Sequence, residues 1–434
     1  YNLHSFAYDL GIFMQSFWNT FHGKFFYETP DLYWNASGNY LSVHFSVIVL
    51  LVIPLYFIFP HAESLLFLQS FLLGLAGFPL YLLCKNLTGD ETFSKILVIS
   101  YYLSPILHAA NLYDFHVESF LPLLIFSSIY YLERRKLCKS ILLVVLVCFC
   151  LYTLCPLAIL LLIFYAFKMR TFKRVIVISI SLLSCYYGIV VYLILPALGN
   201  IPFKSGTITW FPFLGKSWIE ILTNIVYSPD LLFKSLLYDL GLKVTYWVLL
   251  SLPVLFLYLV FPEILIPLFY WLAISLLTSY TPFYTIGWQY TLIPISLIYV
   301  GAAYGFKRLM KFDLSKNIKK SLLIISLIQV IFSPITPVVY SLHMQGGGGY
   351  DNVMTFPPRY YIVKPVLDLI RKEDGADILA TNNIFPHLAN SPYVYVWLPK
   401  KVVPEYVVLD IQDFARLHDK IGNTTFMKQL EALL

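Results

Sequence analysis

Apolar runs near the length that crosses a bilayer, about 20 residues, recur along the chain and are cut by short basic loops. They cover approximately residues 64–84, 92–110, 113–132, 175–197, 243–261, 263–278, 286–306 and 320–340. The run from Ser140 to Phe167 is too long for one relaxed span and carries Pro156 near its middle. It predicts two short helices meeting at that proline, where the hydrogen-bond ladder breaks. The stretch 45–60 is short and holds Pro54 and Pro60, which predicts an interfacial or half-inserted helix rather than a crossing. Together the runs predict an all-α polytopic bundle of about ten spans.

After residue 340 the period changes. "GGGG" (346–349) reads as a flexible linker, since no phosphate-loop pattern accompanies it. Beyond it "YYIVKPVLDLIRKE" has helical spacing, and "DILATN", "YVYVW" and "EYVVLD" read as short strands. The predicted organisation is an outer loop with interfacial helices over 1–63, a transmembrane bundle over 64–340, and a small α/β domain over 341–434.

Charge supplies orientation. The loops 85–95, 133–139, 168–174 and 307–320 hold 16 of the 30 Lys and Arg residues, and by the positive-inside rule they face the cytoplasm. Residues 1–63, the loop 198–242 and the tail then lie outside, together with all nine histidines. Sequons at Asn35 and Asn423 fall on that outer side, and Asn86 falls inside. The basic face needs no nucleic acid, because topology and anionic membrane lipid account for it.

Composition agrees with a membrane chain: 59% of the 434 residues are hydrophobic, only 12% are charged, and the mean hydropathy is +0.73. The chain opens without Met, so an upstream signal anchor or first span is expected. All six cysteines lie in or beside apolar runs, which favours small buried residues over a disulfide framework or a zinc ribbon.

Candidate chemistry gathers on the outer side. "YDLGIFMQSFWNTFHGKFFYET" (8–29) sets Ile12, Phe13, Phe17 and Phe21 at helical spacing, with Asp9, Gln15 and Asn19 on a polar edge. Asp9 either caps this helix or faces a cavity. "NLYDFHVESF" places Asp114, His116 and Glu118 where one span reaches the outside and the next begins, a depth at which ionisable groups need a wet cavity or a partner. His44, just before the half-inserted stretch, is in position to join them. One carboxylate would deprotonate an acceptor hydroxyl, while its neighbours hold a phosphate or a divalent cation, magnesium or manganese. No HExxH motif is present, and a tightly held metal is not expected.

The order of "YDLGIFMQSFWNTFHGKFFYE", "HFSVIVLLVIPLYFIFP", "LQSFLLGLAGFPLYLLCKNL", "LYDFHVESFLPLL" and "GWQYTLIPISLIYVGAAYG" resembles a prokaryotic family of predicted multispanning membrane proteins of unknown function, related to the glycosyltransferase C superfamily. "ADILATNNIFPHLANSPYVYVW" resembles that family's usual ending. The resemblance implies sugar transfer from a polyprenyl- or dolichyl-phosphate-linked donor at the outer face. It implies Asp9 as the loop acid, with Asp114 and His116 as the second polar motif. Gln289, within the matching "GWQYTL", joins His44 and Glu118 as a candidate substrate ligand. One departure stands out. Where such proteins carry a Lys–Glu element at an outer helix break, this chain has "CLYTLCPLAI" (150–159), and Thr153 and Cys155 supply no positive charge. Lys24 and Lys243 are the candidates to replace it. The competing class is a non-catalytic scaffold or accessory subunit of a larger membrane complex. A transporter is less favoured, since no inverted repeat stands out.

Overall fold

The computed structural model describes residues 5–33, 35–169, 173–199, 206–312, 314–336, 358–371, 375–399 and 402–410. The expected glycine linker and the Asn423 sequon lie outside the described residues.

The chain is mostly helical. After a short helix α1 (Ile12–Phe21) comes α2 (Val49–Ile58), whose 10 residues carry Pro54 inside. At about 1.5 Å per residue α2 is too short to cross a hydrocarbon core of about 30 Å by itself. Helix α3 (Ala62–Thr88) is long and apolar enough to span, and it ends on Gly89 in the left-handed conformation that glycine adopts freely. Asp90 then caps α4 (Glu91–Tyr102) by accepting the Phe93 N–H at 2.8 Å. A bend of 43° separates α4 from α5 (Pro105–Leu112), with Pro105 opening the second piece. Helix α6 (Leu121–Glu133) returns.

The long run around Pro156 is indeed two helices, α7 (Leu137–Cys150) and α8 (Cys155–Lys168). Their break falls at 151–154, one turn before the proline, which sits in the first turn of α8 where its missing N–H is harmless. Helix α9 runs over Lys173–Ala197 and is the second helix long and apolar enough to span; the bent pair α4–α5 is a third if counted as one. Two short helices follow, α10 (Trp218–Tyr227) and α11 (Pro229–Leu237).

The expected span 243–261 is not continuous. Helix α12 (Leu240–Ser251) stops at a 3-10 turn, and Leu255 and Phe256 take positive φ before a second turn at Leu257–Val260. The reason lies in the central helix α14 (Leu292–Leu309), which follows α13 (Leu265–Leu277) and is buried from Leu292 to Phe306. A Cβ on Gly305 would stand 1.9 Å from the Leu257 carbonyl oxygen, and one on Gly301 2.6 Å from the Tyr258 Cβ. Two small residues thus admit the irregular turn against the backbone of α14, the usual device for close packing in membranes. Helix α15 (Ser315–Gln329) packs beside α4.

Past α16 (Pro358–Ile370), the strands β1 (Ile378–Ala380), β2 (Val394–Tyr395) and β3 (Tyr406–Val408) form a parallel sheet in the order β2-β1-β3. This sheet unit packs on the first 60 residues. Gln15 Nε2 donates to the carbonyls of Ser391 (2.7 Å) and Val394 (3.2 Å), and Tyr56 Oη donates to Asn390 Oδ1 at 2.6 Å. Ile378, Phe385 and Val394 share one core with Phe13 and Phe17.

Candidate functional site

With the bent pair α4–α5 counted as one, helices α3 to α8 run alternately up and down, so the residues near 62, 112, 121, 150 and 155 meet at one end of the bundle. The site is built there. The connection Tyr113–His116 joins α5 to a 3-10 turn, Val117–Phe120, and lies outside the helices on either side. Gln69, buried two turns into α3, holds it in place. Its Nε2 lies 3.0 Å from the Tyr113 carbonyl and 3.2 Å from that of Asn111, and its Oε1 accepts the His116 backbone N–H at 3.0 Å. An isolated amide in an apolar helix was the available signal for Gln69, and sequence reasoning passed over it.

Ala7–Gly11 packs onto this connection as a single π-helical turn, a rare conformation that concentrates at functional sites. Asp9 sits in the turn and does not cap it. Asp114 does, its Oδ2 accepting the Phe6 N–H at 2.7 Å. The capping role considered for Asp9 therefore belongs to Asp114. From the far side Asn382 receives the Ala7 N–H on its carbonyl oxygen (2.9 Å) and on Oδ1 (2.8 Å), and the Phe385 ring lies where a Gly11 Cβ would be.

Asp9 turns toward His116. Its Oδ1 is 3.0 Å from His116 Nε2, and its Oδ2 accepts the Tyr113 hydroxyl at 2.6 Å. The other ring nitrogen, Nδ1, is 2.8 Å from the Asp114 carbonyl oxygen. Both partners of the ring are acceptors, so both nitrogens must donate and the imidazolium form satisfies the geometry. Burial alone would lower the His116 pKa, but the hydrogen bond and charge of Asp9 overcome it and raise it to about 9. Burial, followed by the negative charge of Asp9, pushes Asp114 up to about 7. Tyr113 stacks on His116 with centroids 5.3 Å apart.

Glu118 is buried, and its carboxylate meets only its own backbone N–H among the described residues. It lies in the electrostatic field of His116 and Asp9 and acts in turn on Tyr40, Tyr270, Tyr290 and Cys150. The α7–α8 break closes this side: Tyr270 Oη donates to the Thr153 carbonyl at 2.9 Å, and the Tyr152 N–H donates to the Phe45 carbonyl at 3.0 Å. No charge from the break enters the site. Gln289 is buried beside Tyr290, and its Oε1 has no hydrogen-bond partner among the described residues.

His44 lies near this cluster, half exposed, with Nε2 4.0 Å from Asp31 Oδ2. The surrounding protein displaces enough water to hold its imidazole neutral, down to about 4, and the nearby His116 charge adds to the effect. Behind it Glu28 and Asp31 form a second acidic pair absent from the sequence reading, both buried, with the Asp31 N–H on Glu28 Oε2 at 3.0 Å. Burial, then the Asp31 charge, pushes Glu28 well above the usual carboxylate range. The motif "YETPD" carries them three residues apart across a proline, which was their only trace in sequence.

The two candidate lysines are elsewhere. Lys24 is exposed over the Tyr27 and Tyr393 rings, and Lys243 is buried with Nζ on the carbonyls of Ser235 (2.9 Å) and Leu276 (2.7 Å). Among the described residues no three His, Cys, Asp or Glu side chains converge on a metal position, and both oxygens of Asp9 and Oδ2 of Asp114 are already committed. The Asn35 sequon is also closed: its side chain is buried and donates to Ser42 Oγ at 2.7 Å.

Apolar helices long enough to span, with a buried acid–imidazole cluster at one end, define a helical membrane protein with a buried polar cluster. The chain belongs to the DUF2079 family of predicted membrane proteins, whose model matches residues 1–427. Among curated proteins and solved structures, none matches.

Proposed function

We propose that this protein transfers a sugar from a polyprenyl-phosphate-linked donor at the outer membrane face, with the C-terminal unit on the same side. One observation carries the reading: a fixed Asp9–His116–Tyr113 cluster and an uncommitted carboxylate, Glu118, are buried close together at the helix ends. Both carboxylate oxygens of Asp9 are taken by donors, His116 and Tyr113, so the base role expected for it passes to Glu118. Glu118 takes the proton of the acceptor hydroxyl as that oxygen attacks the anomeric carbon. The carbon–oxygen bond to phosphate breaks, and the polyprenyl phosphate leaves with the electron pair. The His116 imidazolium, oriented by Asp9, supplies the positive field for that leaving charge in place of a lysine. Gln289 Oε1 is left to accept a sugar hydroxyl.

The test uses purified protein in nanodiscs. Native mass spectrometry should retain undecaprenyl phosphate over undecaprenol, and a panel of undecaprenyl-phosphate-linked hexoses and pentoses should include one that is turned over. Equal retention of phosphate and alcohol, with no turnover, would refute the transferase. Sidedness is checked by cysteines placed in 341–434, expected to react with an impermeant thiol reagent from outside, while one at 307–320 does not. A second reading, a non-catalytic scaffold, is favoured by one finding: neither Lys24 nor Lys243 meets the site. Stable co-purification of a partner without turnover would support it.

A further inference from the structure

The segment between α9 and α12 carries an apolar surface that the site does not use. In α10 Ile219, Leu222 and Val226 follow one helical stripe and are 80%, 64% and 69% exposed. In α11 Phe233 and Leu237 are exposed likewise. The opposite side of α10 is anchored, with Ile221 buried against Phe211 and Leu214 and Asn224 Nδ2 donating to the Leu214 carbonyl at 2.7 Å. Ser217 caps α10 by accepting the Glu220 N–H, and Glu220 Oε2 accepts the Lys216 N–H at 2.8 Å, a close variant of the capping box. The helix is therefore well specified, and its exposed stripe is not the product of a loose loop.

Position shows what covers the stripe. Ser235 of α11 donates to the carbonyl of Leu277, the last residue of α13, and Lys243 in the first turn of α12 bonds both Ser235 and Leu276. The pair α10–α11 thus lies level with helix ends, at the same end of the bundle as the site. Its exposed residues run without interruption into Leu240, Leu242 and Val244 on the outer face of α12. Trp210 and Tyr280 stack at 4.9 Å beside it, the ring types that favour the headgroup level. Lys216, Glu220, Asp230 and Lys234 supply a polar edge.

We propose that α10–α11 is an interfacial hairpin whose exposed stripe is embedded in phospholipid of the leaflet on the site's side. It also reaches toward the site, because Tyr280, stacked on Trp210, packs on Phe283 at 5.1 Å and Phe283 packs on Tyr290 at 4.7 Å, next to Gln289. A lipid-borne ligand approaching Asp9 would pass this hairpin. That consequence depends on the proposed transfer, whereas the lipid contact does not.

The test places single cysteines by Leu222→Cys, Val226→Cys and Asp230→Cys in full-length protein whose exposed Cys138 and Cys185 are replaced by serine. Each is labelled with bimane and reconstituted in phosphatidylethanolamine–phosphatidylglycerol vesicles. Bimane at 222 and 226 should be quenched several-fold more by lipids with a nitroxide high on the acyl chain than by aqueous iodide, with the reverse at 230. Equal iodide quenching at all three positions would overturn the proposal. So would protection from both quenchers together with disulfide cross-linking between copies, which would assign the stripe to a second copy. Two independent stripe positions keep the test decisive if one variant fails to fold.

Discussion

The two ends of the helical bundle treat their acids in opposite ways. At the basic end each acid among the described residues has a cation: Asp90 meets Lys319 at 2.7 Å, Glu133 meets Lys168 at 3.3 Å, Glu91 bridges Lys85 and Lys95, and Glu263 meets Arg308. At the site end Asp9, Asp114 and Glu118 are met by imidazole, hydroxyl and backbone N–H groups, with no Lys or Arg partner among the described residues. Pairing near the surface adds modest stability and explains itself. An excess of buried acid is unfavourable for folding and points to a retained chemical use. The difference between the ends separates scaffold from site more sharply than either end alone.

The largest effects should follow from removing charge at the site end. Glu118→Gln removes the proton acceptor and should lower transfer by about 100-fold or more. Asp9→Asn keeps one acceptor for His116 and a polar group for Tyr113 while removing the counter-charge, so a comparable loss with nearly unchanged melting is expected. Sugar release from the undecaprenyl-phosphate panel and thermal melting are read together. Full activity in both variants would erase the functional distinction between the ends.

Gln69→Leu comes next. It strips the connection Tyr113–His116 of its donor and leaves the His116 N–H without an acceptor, a loss of about 1–3 kcal/mol. Denaturation in mild detergent should show it, and Gln69→Glu should restore the acceptor but not the donor. A neutral Gln69→Leu would mean that the 113–116 connection is held by its helices alone.

Gln69 also marks where the sequence stopped being legible. Hydropathy located α3, α8, α9 and α14 because each is a local property of one run. It could not foresee the break at Leu255–Phe256, since what makes that turn tolerable is the absence of side chains at Gly301 and Gly305, far along the chain. Asp9, Asp114 and His116 were legible as polar groups out of place. Which of the two acids caps and which pairs with the imidazole was not, because that depends on how Ala7–Gly11 is pinned between Asn382 and Asp114. Glu28 and Asp31 were hidden among aromatic residues that read as an interfacial loop.

The response to pH should carry opposite signs at the two ends. Asp114 is raised to about 7 in the fold, so the folded state binds the extra proton and stability falls as pH rises from about 4 to 7. His116 is raised to about 9, so its contribution is complete below about 6.5 and is lost as pH rises through 9. Glu91 is lowered to about 2 by Lys95 and Lys85, so its contribution is present above about 4.5 and lost as pH falls through 2. Asp114→Asn should therefore flatten the melting profile between pH 4 and 7, while Glu91→Gln should reduce the slope of the acid limb only at low ionic strength, where this exposed pair is not screened. An Asp114→Asn profile that still falls over that interval would move the effect to another group, Glu28 being the nearest by the same reasoning.

The smallest effects belong to the basic end, where they also grade the ion pairs by burial. Glu133 is mostly enclosed, with Oε1 accepting from the Tyr304 hydroxyl at 2.6 Å and facing Lys168, whose ammonium also lies 4.2 Å from the Tyr304 ring centre. Glu133→Gln keeps an acceptor for Tyr304 and removes only the charge, so a loss of about 1 kcal/mol is expected. Glu91 makes two contacts at similar distances but is open to solvent, where ions screen it. Glu91→Gln should leave melting at neutral pH unchanged in physiological salt and reveal a small difference only at low ionic strength. If the exposed pair proved the stronger of the two, burial would not set the strength of pairing at this end. The contrast with the acids of the site, which have no Lys or Arg partner among the described residues, would then need a cause other than their enclosure.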